Sequence, residues 1–181
     1  MASSASVLGF EMHDALHAIL SAEMHPGGKL PTLRSLRKSN QLAQNAVVGP
    51  TDVVGGVKLH GHSDPRPYGT GAREVDVHLE IILAARAQRV AAAPGVSGKV
   101  ALLEDALSAL KSAIDDGQGG GVIAVLNAPS TYGLRVDGQP LAAASRLGAG
   151  QFYEDLDGEG ADQSVWALYT VDYIATGYFS F

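Results

Sequence analysis

Two histidines and an aspartate stand at alternate positions in the run His60-Gly61-His62-Ser63-Asp64. Imidazole nitrogen and carboxylate oxygen are ligands that zinc takes, and a loop following a strand is a suitable place to present them. His60, His62 and Asp64 are therefore the candidate metal ligands, and His78 is the one histidine that follows them. A second pair, His13 and His17, lies four residues apart, which brings both rings to one face of a helix. A metalloprotease helix of the His-Glu-x-x-His type needs glutamate beside the first histidine, and Asp14 stands there instead. These two are expected at a boundary between core and solvent.

The first run is similar to the His-x-His-x-Asp segment of metallo-β-lactamase-like hydrolases, which implies a metal-dependent hydrolase. That family's run continues to another histidine where this chain has Pro65, and 181 residues is short for that fold. The competing reading is a polar loop that happens to hold two histidines. Other constellations fall short on chemistry. The stretch Glu154-Asp155-Leu156-Asp157-Gly158-Glu159 alternates carboxylates as a calcium loop does, but an EF-hand begun at Asp155 would place Trp166 where a bidentate glutamate belongs. The glycines from Gly117 to Gly121 lack the Gly-Lys-Ser/Thr ending of a phosphate loop, and they follow a helical pattern instead of preceding one. No serine lies in a Gly-x-Ser-x-Gly elbow. No catalytic triad is legible, so the expectation is a protein that is not an enzyme and needs no cofactor.

The elements around these residues follow from periodicity. Ser3 to Ser6 offers a cap for a helix ending near Ala22, with Leu8, Met12, Leu16, Ile19 and Leu20 on its buried side, and His25-Pro26-Gly27-Gly28 stops it. From Arg73 to Ala85, Val75, Val77, Leu79, Ile81 and Leu83 alternate with Asp76, His78 and Glu80, the mark of a half-buried strand. Val100, Leu103, Leu107, Leu110 and Ile114 make one stripe on a helix from about Gly98 to Asp115. Val165 to Thr176 is a strand apolar on both faces, with Trp166, Leu168 and Ile174 on one side and Val165, Tyr169, Val171 and Tyr173 on the other. Val53 to Leu59 reads as a strand weakened by Gly55 and Gly56, and His60 to Gly71 as loop. Ala84 to Pro94 reads as a strand extension or a short helix, Val122 to Leu126 and Tyr132 to Val136 as short strands, and Leu141 to Tyr153 as ambiguous. The fold class expected is α/β in the α+β sense, a mixed or mainly antiparallel sheet with one or two helices packed on it and long loops. One domain spans 1–181, with an extended arm or loop at 23–52 that includes a short helix near Leu33 to Leu42 as an option.

Composition excludes several partners. The formal net charge is −6, which does not suit a chain that holds nucleic acid by neutralising phosphates. Cysteine is absent, so disulfides, thiolate metal sites and cysteine nucleophiles are excluded together. The opening residues, MASSASVLGFEMHDAL, lack a basic leading segment, so no signal peptide is expected. Nowhere do about 18 uncharged apolar residues run together, and no membrane span is expected. Lys29, Arg34, Arg37 and Lys38 form a basic stretch without acidic residues or interleaved aromatics, a weak signal for nucleic acid and a better one for an acidic partner or a neighbouring subunit.

The succession DALHAILSA, REVDVHLEIILAARAQ, KVALLEDALSALKSAI and SVWALYTVDYIAT resembles the tail terminator proteins of tailed bacteriophages, small α/β subunits with an N-terminal helix, a long hairpin, a helix across the sheet and a late closing strand. The resemblance covers about half of the chain. It implies a homo-oligomeric ring, usually a hexamer, that caps the tail tube and joins it to the head-completion or neck protein. The partners implied are other copies of the chain, the tail tube protein and the neck protein. DNA would pass through the lumen without sequence recognition, and the location would be the virion after assembly in the host cytoplasm. Arg34, Arg37, Lys38, Asp76, His78 and Glu80 are the expected subunit-interface residues. A ferredoxin-like ligand-binding or accessory domain fits the same pattern of strands and helices.

Overall fold

The computed structural model describes residues 4–43, 51–88, 98–127, 134–136, 139–155 and 164–180. Helix α1 (Ala5–Ala22) opens at Ser4, whose hydroxyl accepts a hydrogen bond from the Val7 amide at 3.3 Å and satisfies one of the free donors of the first turn. Its expected stripe is buried, with Leu8, Met12, Leu16 and Leu20 at 2% exposure or less and Ile19 packed against them in part. The chain continues through β1 (Leu33–Arg37), β2 (Val53–His62), β3 (Arg66–Tyr68) and β4 (Ala72–Gln88) to helix α2 (Gly98–Ile114). After these come the short helix α3 (Val122–Leu126), a small ribbon of β5 (Arg135–Val136) and β6 (Gln139–Pro140), then β7 (Ala144–Asp155) and β8 (Ser164–Ser180).

One mixed six-stranded sheet carries the fold, in the order β1-β2-β4-β8-β7, with β3 added to the far end of β4. Only the β1–β2 pair is parallel; the others are antiparallel. The 17-residue strands β4 and β8 pair along their whole length, from Ala72 opposite Ser180 to Gln88 opposite Ser164. The α+β class read from the sequence is the one observed. Among the described residues the helices lie on one face only. There Val75, Val77, Leu79, Ile81 and Leu83 of β4 and Val171, Tyr173 and Ala175 of β8 meet α1 and α2 in a continuous core. The part of α2 that lies deepest is its alanine side, Ala106, Ala109 and Ala113 with Leu110, while Leu103 and Leu107 sit at the margin. Small side chains let the helix approach the strands closely.

Several expectations are corrected. The segment expected as an extended arm, or as a short helix near Leu33, contains β1, which pairs with Val53 to Gly56. After β1 the chain crosses the face opposite the helices: a Cβ at Gly56 would run into the Ser39 carbonyl, and Leu42 packs with Val54, Ala84, Trp166 and Leu168 in a second small core. Gly56 is there because the crossing chain leaves no room for a side chain. The expected loop from His60 to Gly71 is half strand, since β2 runs to His62 and β3 is Arg66–Tyr68, with β4 following from Ala72. Val122 to Leu126 is helical and not a strand; five apolar residues in a row carry no period that separates the two. Leu141 to Tyr153 resolves largely into β7, and the helical option for Ala84 to Pro94 gives way, as far as Gln88, to a longer β4. The remainder of that stretch, residues 89–94, the turn at 137–138 and residues 156–162 of the acidic loop lie outside the described residues.

Candidate functional site

His60, His62 and Asp64 come from the end of β2 and the residues just beyond it. A regular strand would put residues 60 and 62 on the same face, since side chains alternate. Here the register shifts: Leu59 opposes Leu79, but Gly61 opposes His78 and His62 opposes Val77. The extra residue is a β-bulge, and Gly61 takes φ +143°, a conformation open mainly to glycine. The bulge sends the two imidazoles to different partners. His60 Nε2 lies 3.0 Å from Glu80 Oε2 on the face opposite the helices, whereas His62 Nε2 lies 3.5 Å from Ser6 Oγ at the start of α1. Asp64 is exposed beyond the strand. Among the described residues no group of three or more histidines and carboxylates is arranged to hold a metal ion.

Around His60 the helix-free face is polar. Lys58, Glu80 and Asp172 stand abreast across β2, β4 and β8, and His60, Gly61, His62, His78 and Asp172 line a shallow depression there. One step along β4, Asp76 accepts hydrogen bonds from Thr176 Oγ1 at 2.5 Å and Arg66 at 3.1 Å, and Arg66 also meets Glu74 at 2.8 Å. The Asp76 amide donates to Ser63 Oγ at 3.0 Å, and its carbonyl accepts from the Ser63 amide at 2.8 Å. Asp76 thus fastens the hairpin. Asp76, His78 and Glu80 share the solvent-facing side of β4, as their alternation requires.

His13 and His17 have structural work. His13 is 8% exposed and its Nε2 lies 2.8 Å from the Val57 carbonyl, while His17 Nε2 lies 3.1 Å from the Leu36 carbonyl. A carbonyl only accepts, so in each ring the Nε2 carries the hydrogen and donates. The two rings cap the place where β1 ends beside β2.

The basic residues expected at an interface divide. Arg34 Nε lies 2.6 Å from Asp52, whose side chain is buried, and Lys38 Nζ lies 2.7 Å from Asp14. Both therefore hold their own chain together. Arg37 is exposed and, among the described residues, reaches only the Gln41 carbonyl, at 3.5 Å.

The exposed aromatic residues carried no pattern in the sequence. Phe10 on α1, Tyr68 on β3 and Phe152 and Tyr153 on β7 are all half exposed or more. Tyr68 stacks on Tyr178 with ring centres 4.3 Å apart, and Phe152 leans on Tyr169 at 4.8 Å. Burial pushes the Tyr169 phenol above its ordinary range, and pushes up that of Tyr173 too, where Ser145 works in the opposite sense.

No protein-family model matches this chain, and no curated protein matches it in sequence.

Proposed function

We propose that this chain is a virion structural protein of the tail-terminator kind. It assembles into a homo-oligomeric ring, of hexameric type, that closes the tail tube and presents a joining surface to the neck, with DNA passing through the lumen. The observation that carries this reading is the order and layering of the elements: α1 first, then the long hairpin of β2, β3 and β4, then α2 laid across the sheet, and β8 last. That is the succession the resemblance implies, and among the described residues it leaves the other face of the sheet without a helix.

The electrostatics are compatible with such a lumen. Glu74, Asp76, Glu80 and Asp172 lie on the helix-free face, and the chain's net charge is −6. Carboxylates facing a DNA duplex repel it over a Debye length of about 8 to 10 Å at moderate salt, so the duplex slides without sticking. Such a subunit works by shape and by its contacts with copies of itself, with no reaction to catalyse.

Negative-stain imaging of the purified chain tests the reading. Rings with an open centre are the expected result. Compact particles of monomer size at every concentration would count against it.

A further inference from the structure

We infer that copies of this chain join head to tail through the two opposite edges of the sheet, the β7 edge of one copy meeting the β1–β2 edge of the next. This rests on the ring reading above and names the surfaces that would build it.

The first surface is β7. It is a 12-residue edge strand with β8 on one side only, and among the described residues no backbone group pairs with its outer side. Edge strands are commonly blunted by lysine or proline, and β7 contains neither. Its bulge between Leu147 and Gly150 leaves the stretch from Gly150 to Asp155 in regular register with β8. Within that regular stretch Phe152 is 57% exposed and Tyr153 is 50% exposed, on opposite faces of the strand. Phe152 also borders a cleft against the end of α2, where Lys111, Asp115 and Asp116 are exposed and the two carboxylates outnumber the ammonium.

The second surface lies across the sheet. Strand β1 covers β2 only from Val53 to Gly56 and His13 takes the Val57 carbonyl, so among the described residues β2 is itself the edge from Lys58 onward. On the flank of α1 beside it, Phe10 is 63% exposed and Val7 39%. Phe10 lies one helical turn before Asp14, which Lys38 holds at the end of β1, so the aromatic ring and the strand edge occupy one side of the molecule. Arg37, exposed and among the described residues bound only to a backbone carbonyl, stands on the same edge.

The two surfaces complement each other. Each offers an open strand edge and exposed apolar side chains, and Arg37 on one can meet Asp115 and Asp116 on the other, beside Lys111. Both edges belong to one sheet, so joining them extends that sheet from copy to copy. A contact between two different patches is heterologous, and repeated with the right rotation it closes a ring.

The absence of cysteine makes the test direct. Two single-cysteine chains, Arg37→Cys and Tyr153→Cys, both altered at exposed positions, are mixed and treated with a short bis-maleimide; Asp64→Cys at the hairpin sets the collision background. Mixed 37–153 dimers formed several-fold above that background are the expected result. Linkage of 153 to 153 alone would mean that β7 pairs with itself and would overturn the head-to-tail contact. Oligomers seen by mass without a 37–153 link would overturn these surfaces and leave the ring reading standing. No association at any concentration would overturn both.

Discussion

His60 and His62, two residues apart in one strand, border the same shallow depression but take different partners: His60 meets Glu80 and His62 meets Ser6 on α1. The bulge at Gly61 turns the two rings toward these different partners, and among the described residues no three histidines and carboxylates converge on a metal position. Zinc titrated into the purified chain is expected to show no stoichiometric binding by calorimetry and no rise in melting temperature, because a specific site would stabilise the native state by mass action. A one-to-one isotherm lost in His60→Ala would contradict this arrangement.

Arg34 and Asp52 fix the start of the β1–β2 pair at 2.6 Å, with the carboxylate buried and the guanidinium half exposed. Arg34→Met takes the charged hydrogen bond of Arg34 from that buried carboxylate, and a loss of about 1–3 kcal/mol is expected. Adding Asp52→Leu removes the buried charge as well and should recover part of the loss. Urea unfolding of the single and double variants measures both terms. An unchanged midpoint for Arg34→Met would show that the pair contributes nothing.

Gly56 allows the chain after β1 to cross the sheet beside Trp166. Gly56→Ala forces its new methyl group into the Ser39 carbonyl, so the crossing segment must lift. The cost expected is about 1–3 kcal/mol, the usual range for overpacking. Trp166 is the only tryptophan, is 8% exposed, and packs with Leu42 of that segment and beneath the Arg86 guanidinium at 5.7 Å. Its fluorescence should shift to the red in the variant, and an unshifted spectrum at equal stability would contradict the crossing.

Acid should weaken the fold through Asp14 and Asp116. The hydrogen bond and charge of Lys38 hold the Asp14 carboxyl below its ordinary range, and the amides of Gln118 and Gly120 do the same for Asp116. In the unfolded chain these partners are gone, so between the folded and unfolded values the unfolded state binds more protons and stability rises with pH. The contribution is fully present above the unfolded carboxylate value and is lost as pH falls through the folded one. Lys38→Met should flatten this dependence by at most about 1 kcal/mol, since the pair is exposed. Urea midpoints at neutral and acid pH compare the two chains; equal slopes would remove Lys38 from the effect.

The fold was legible where the side-chain period is strong and local. Leu8, Met12 and Leu16 mark α1, and the alternation from Val75 to Leu83 marks β4, because each pattern is complete within its own element. Strand β1 was missed because LRSLR has only Leu33 deeply buried and its pairing partner lies across the crossing segment. Gly55 and Gly56 looked like weaknesses in β2, although they make room for Leu36 and the Ser39 carbonyl. The candidate site misled for a related reason. Spacing puts His60 and His62 on one face only if the strand is regular, and a bulge is decided by pairing with β4. Arg34 and Lys38 likewise have partners, Asp52 and Asp14, that lie 18 and 24 residues away.

The most direct measurement is native mass spectrometry of the purified chain across a wide concentration range, which counts subunits without assuming a shape. Ring assembly predicts one dominant closed oligomer of fixed subunit number whose population rises with concentration and falls with added salt, through loss of the Arg37 attraction to Asp115 and Asp116. A chain that stays monomeric throughout, or that grows into a ladder without a preferred size, would contradict it.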